Sequence, residues 1–89
     1  DWDNAERYLG RAYELCPADR AILHEYTAVL YRRQKYREAA SLCRAGLEMD
    51  PKDPVFRERL GDACYMQGAY EEAAETYVVL GKVSSKAGS

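Results

Sequence analysis

The sequence predicts an all-α fold, a helical-repeat solenoid of five antiparallel helices. Two observations carry that reading. "KYREAA" at 35–40 returns as "AYEEAA" at 69–74, so the chain spells nearly the same hexapeptide twice, 34 residues apart. Between the breakers, apolar residues recur at three- and four-residue spacing, and no strand pattern competes. A fixed period of tens of residues is the signature of stacked repeats, each too small to bury its own apolar face.

The register extends well beyond the hexapeptide. A shift of 34 aligns Ala5, Ala39 and Ala73, and likewise Trp2, Tyr36 and Tyr70. It also sets Glu14 on Glu48, Leu15 on Met49, Pro17 on Pro51 and Asp19 on Asp53. Chance similarity between two amphipathic helices does not produce one register across three copies.

The first helix, over 3–15, is the second half of a repeat, because Trp2 and Ala5 fall where Tyr36 and Ala39 recur. A second helix over 20–33 carries Ile22, Tyr26, Val29 and Leu30 on one stripe, with Leu23 beside them and Asp19 placed to cap it. The third, over 36–49, carries Tyr36, Ala39, Ala40, Cys43 and Leu47, and Asp50-Pro51 stops it. Asp53 and Pro54 open the fourth, over 54–67: aspartate suits the cap, and the N–H that proline lacks costs nothing at the first helical position. Gly68 breaks the chain before a fifth helix over 70–84. Connections of two to four residues force consecutive helices antiparallel. The units are therefore 1–17, the second helix of a truncated first repeat; 18–51, the second repeat; 52–84, the third; and 85–89, a Ser- and Gly-containing tail expected to fray.

An aromatic opening the second helix of a 34-residue unit, an alanine three residues later and a closing proline resemble the tetratricopeptide repeat. The third copy shows Leu60-Gly61, Tyr70, Ala73 and Tyr77 in family positions, with Cys64 in place of an aromatic. The second departs more: Thr27 stands for a small residue, Cys43 for a large aromatic and Gly46 for an alanine; in the third, Leu80 replaces a small residue. The resemblance implies a right-handed solenoid whose concave face, lined mainly by the first helix of each unit, binds a protein or peptide. By that pattern the groove residues are Ala21, His24, Ala28, Tyr31 and Arg32, then Val55, Glu58, Asp62, Tyr65 and Met66. Tyr31 and Tyr65 are the strongest candidates, since aromatics give contact area at small entropic cost.

Chaperone-binding members of the family clamp a C-terminal carboxylate with lysines, asparagines and an arginine. The corresponding places here hold His24, Ala28, Glu58 and Asp62, with Arg59 matching only the arginine. The acidic pair repels a carboxylate, so the resemblance points away from a chaperone tail and toward an apolar, partly basic partner.

The rest of the sequence excludes more than it assigns. Eighty-nine residues bury only about 60% of their unfolded surface, which makes for a marginal domain. A net charge of −2 argues against nucleic acid, and no apolar run reaches membrane-spanning length. Three cysteines, at 16, 43 and 64, form no CxxC pair, which fits reduced thiols and a cytoplasmic setting. Cys43 and Cys64 fall on inward helix faces and Cys16 at a helix end, and no residue gives reason to expect a depressed pKa. His24 is the one histidine and lacks the convergent ligands a metal needs. There is no phosphate loop and no nucleophile–base pair, so neither catalysis nor a cofactor is expected. "YRRQKYR", 31–37, reads as a solvated basic corner favoured at a helix C-terminus.

The opening Asp1-Trp2-Asp3, without a methionine, suggests a piece of a longer protein. Its terminal helices then leave apolar residues uncovered: Tyr8, Leu9 and Ala12 on the first, Tyr77, Val79 and Leu80 on the last. Further repeats or a second copy of the chain would cover them, and self-association through these helices is the alternative to groove binding.

Overall fold

The computed structural model describes residues 1–81, and among them there are five α-helices and no strand. They are α1 (Trp2–Leu15), α2 (Arg20–Arg32), α3 (Tyr36–Met49), α4 (Pro54–Met66) and α5 (Tyr70–Leu80). Each helix packs against the next, and α2 also touches α4. The radius of gyration is 13.6 Å, above the roughly 12 Å of a compact globule of this length, as stacking in one direction requires.

The caps fall where the sequence places them. Asp19 Oδ1 accepts from the Ile22 amide at 3.2 Å, and Asp53 Oδ1 accepts from Val55 and Phe56 at 2.9 and 3.2 Å. Both repeats end their first helix on the same left-handed turn. The amides of Gly68 and Ala69 donate to Tyr65 and Cys64 at 3.0 and 2.9 Å, and those of Gln34 and Lys35 donate to Tyr31 and Leu30 at 3.0 and 2.8 Å. Gly68 takes φ of 84°; Gln34 takes 65° and bears the Cβ strain glycine avoids.

The helix expected over 70–84 stops at Leu80, because Gly81 turns left-handed and returns its amide to Val78 at 2.9 Å. Positions 82–84 and the expected tail 85–89 lie outside the described residues.

The core lies between the two helix pairs. Phe56 is fully buried at its centre, with Leu23, Leu30, Leu60, Cys43 and Cys64 around it. Ala39 and Ala73 are buried where the paired helices approach. Gly46, in place of the usual alanine, has a physical reason: a Cβ there would stand 2.6 Å from the Phe56 ring.

Thr27 has a different reason. Fully buried, it shares its Oγ1 proton with the carbonyls of Leu23 and His24 at 2.9 and 3.1 Å and accepts from Arg59 Nη1 at 3.3 Å. It therefore ties α2 to α4. Burial pushes the Cys43 thiol up to about 12, which makes it an inert apolar filler. Cys64 is buried as well, and Cys16 is exposed.

Candidate functional site

The face carried by α2 and α4 shows the repeat as a pair of matched aromatic contacts. Tyr31 meets Tyr36 edge-on with ring centroids 5.3 Å apart, and Tyr65 meets Tyr70 the same way, also at 5.3 Å. Edge-to-face geometry sets the positive rim of one ring against the negative face of the other. The two pairs differ in cover. Tyr31 and Tyr36 are half-buried, whereas Tyr65 is 56% and Tyr70 62% exposed. Val55 and Met66 are exposed on the same helix as Tyr65.

The polar side of this face is acidic. Asp62 accepts a hydrogen bond from the Tyr77 hydroxyl, and the Tyr77 ring lies where a Cβ on Gly61 would come within 2.9 Å. Burial first, and Asp62 next, push the Tyr31 phenol upward; burial, Asp62 and Glu58 do the same to Tyr77. Both phenols stay protonated, and Tyr77 donates to Asp62. Tyr77, expected on an end surface, is thus half-buried and joined to a groove residue.

His24 is half-buried and occupied. Its ring packs against Phe56 at 4.3 Å between centroids, and Nε2 lies 2.9 Å from Asp53 Oδ2. Asp53 is buried at the start of α4 and lies 3.7 Å from Arg20 Nε, while Arg20 also pairs with Asp50. Burial by itself would raise the Asp53 carboxyl, but the hydrogen bonds from His24, Phe56 and Val55 outweigh it and hold the group low.

Of the remaining predicted groove residues, Ala21 is exposed and Ala28 half-buried; Arg32 lies over the Trp2 ring, 5.6 Å from its centroid. Arg59, the match to the clamp arginine, is committed to the His24 carbonyl and Thr27, each at 3.3 Å.

The end faces also need correction. Leu9 is only 9% exposed, because it turns inward on α1, so it offers no outer surface. Ala12 and Leu80 are half-buried. Among the described residues, the large apolar groups exposed on these helices are Trp2, Tyr8 and Leu15 on α1 and Tyr70 and Val79 on α5. Nor is the basic corner simply solvated. Arg33 binds Asp3 and Glu6, each at 2.7 Å, and Lys35 binds Glu6 at 2.8 Å, so α1 pairs two of its four cations. The Lys35 hydrogen bond chiefly lowers the Glu6 pKa; burial opposes, and the Lys35 and Arg33 charges add to the lowering.

A family model described as tetratricopeptide repeat matches residues 1–54 and again 28–80. The chain belongs to the tetratricopeptide-repeat family. No match was found among curated proteins. Tetratricopeptide repeats mediate protein–protein interaction and form a non-catalytic repeat family. In this tetratricopeptide-repeat chain no group of three or more His, Cys, Asp or Glu among the described residues could hold a metal ion. No described helix is long and apolar enough to cross a membrane. Sequence reasoning missed the His24–Asp53 contact, because a cap predicted from its own helix gives no sign of a second partner 29 residues away.

Proposed function

We propose that this chain binds a segment of a partner protein along the face formed by α2 and α4. The repeats are taken as 18–51 and 52–84, with 1–17 completing a preceding one. Tyr31 and Tyr65 supply the apolar contact, and Glu58 and Asp62 select lysine or arginine on the segment. The observation carrying this reading is the repeated aromatic pair, Tyr31–Tyr36 and Tyr65–Tyr70, with Asp62 beside it. Tyr65 is exposed and backed edge-on by the Tyr70 ring, and exposed aromatics are enriched among binding hot spots. The acidic pair and the committed Arg59 favour a basic segment over a C-terminal carboxylate, and acidity also disfavours nucleic acid. Three free thiols, two of them buried, support a reducing, cytoplasmic setting. Tyr31→Ala with Tyr65→Ala should abolish binding of a selected basic, apolar peptide while leaving the solution mass unchanged.

A second reading rests on a different surface. Tyr8 and Leu15 at one end of the stack and Val79 at the other are 64–80% exposed. Large apolar groups left this open favour self-association. Light scattering over a dilution series distinguishes the two. An oligomer that Val79→Glu or Tyr8→Glu converts to a monomer supports end-to-end assembly; a monomer at every concentration removes it.

A further inference from the structure

The repeat allows one crevice to be compared with another in the same molecule. Between α3 and α5, Arg44 reaches across to pair with Glu72 and lies 3.9 Å from Cys64 Sγ, so that crevice is bridged by the chain's own guanidinium. Between α1 and α3 the equivalent positions, 34 residues earlier, hold Gly10 and Glu38. Gly10 has no side chain to bridge to Glu38, and an open crevice of about 770 Å³ is lined by Gly10, Tyr13, Glu14, Tyr26, Glu38 and Ser41, together with the paired Arg33, Lys35, Asp3 and Glu6. Its floor has changed as well. Leu47 and Leu60 of the later repeat correspond to Tyr13 and Tyr26, whose rings lie 6.0 Å apart. Tyr26 points roughly 140° around α2 from Tyr31, so this crevice is separate from the aromatic face described above.

We propose that the α1–α3 crevice receives an arginine side chain from a partner protein. The guanidinium sits over Gly10, in the place Arg44 fills in the sister crevice, stacks against Tyr13 and Tyr26, and pairs with Glu38. Arginine suits the site better than lysine because its planar, weakly hydrated group both stacks on aromatic rings and forks onto a carboxylate. Arg33 and Lys35 are committed to Asp3 and Glu6, while Glu14 and Glu38 have no ion-pair partner among the described residues. Burial, and then the charges of Glu6, Glu38 and Glu14, push the Tyr26 phenol upward; only the Lys35 charge opposes them, so carboxylate potential prevails at the floor. Arg7 and Arg11 also line the crevice, so its four carboxylates are balanced by four cations, and the Gly10 gap and the tyrosine rings rather than net charge favour a guanidinium.

The test is titration of the isotope-labelled chain with acetyl-arginine amide, followed by amide chemical shifts, with the acetyl-lysine and acetyl-citrulline amides in parallel. The expected result is saturable shifts at Gly10, Tyr13, Glu38 and Ser41 with the arginine compound alone. Glu38→Gln, a change at an exposed residue, should weaken binding about threefold, the scale of one solvent-accessible ion pair. Gly10→Arg should fill the crevice and remove binding, since the Cβ meets only the far end of Tyr26, its hydroxyl at 3.2 Å and Cζ at 3.6 Å. Shifts that do not saturate, that lysine or citrulline reproduces, or whose affinity Glu38→Gln leaves unchanged overturn the proposal. Shifts at these residues that grow with protein concentration alone assign the crevice to a second copy and also overturn it.

Discussion

His24 Nε2 on α2 lies 2.9 Å from the carboxylate of Asp53, the residue that caps α4. One oxygen of Asp53 closes the start of its own helix while the other holds the preceding repeat. Stacking between repeats and formation of α4 are thereby coupled through a single buried side chain.

Asp53→Ala should therefore destabilise the chain by about 2 kcal/mol, combining a lost cap with loss of the partner for His24 and Arg20. At this size that lowers the thermal midpoint by about 10 °C. Asp19→Ala, which removes an exposed cap, should cost about 1 kcal/mol. Equal losses in thermal unfolding would show that the contact to His24 contributes nothing.

Acid should weaken the fold through two carboxylates. Asp53 and Glu6 both titrate below their ordinary values when folded. A lowered folded pKa means the unfolded chain takes up protons first. Their stabilisation is therefore fully present above the usual carboxylate range and is lost as pH falls through about 4 and below. Urea midpoints should be flat from pH 7 to about 5 and then drop. Asp53→Asn and Glu6→Gln should each start lower and show a shallower drop; slopes matching the parent's would contradict this assignment.

Gly46→Ala should cost about 2–3 kcal/mol, despite alanine's better helix propensity, because the added methyl meets the Phe56 ring at 2.6 Å within a filled core. Gly10→Ala meets only the far end of Tyr26, its oxygen at 3.2 Å and Cζ at 3.6 Å, and should be neutral or stabilising by up to about 1 kcal/mol. Chemical denaturation of both variants checks the contrast, and a neutral Gly46→Ala would mean that Phe56 has room to move.

Gln34→Gly should stabilise by about 0.5–1 kcal/mol, since Gln34 holds φ of 65° in the turn where the next repeat uses glycine. Gly68→Ala should cost about 1 kcal/mol for the same reason reversed. Opposite signs in thermal melts support a shared turn; a loss from both would show that the Gln34 side chain contributes elsewhere.

Helix order, caps and breaks were legible because each depends on residues within a few positions: Asp19, Asp53, Pro54 and Gly68 act on their own turns. The repeat then extended that local information to the stacking of helices. What escaped depends on partners across helices. Leu9 and Tyr77 belong to apolar stripes, but which edge of a stripe faces inward is set by the neighbouring helix. The Arg33 and Lys35 pairing with Glu6 spans 27 and 29 residues, and no local pattern announces it. Gln34 had a signal, since a shift of 34 sets it on Gly68. The aromatic face was legible as Tyr31 and Tyr65; its link to Tyr77 through Asp62 was not.

The most direct test of binding along α2 and α4 is selection of twelve-residue peptides from a random display library, followed by calorimetric titration of the best binder. The selected peptides should combine large apolar residues with lysine or arginine. Tyr65→Ala, at an exposed position, should weaken binding at least tenfold while leaving the thermal midpoint within a few degrees. Peptides dominated by aspartate and glutamate, or an affinity unchanged by Tyr65→Ala and by Tyr31→Ala, would contradict this function.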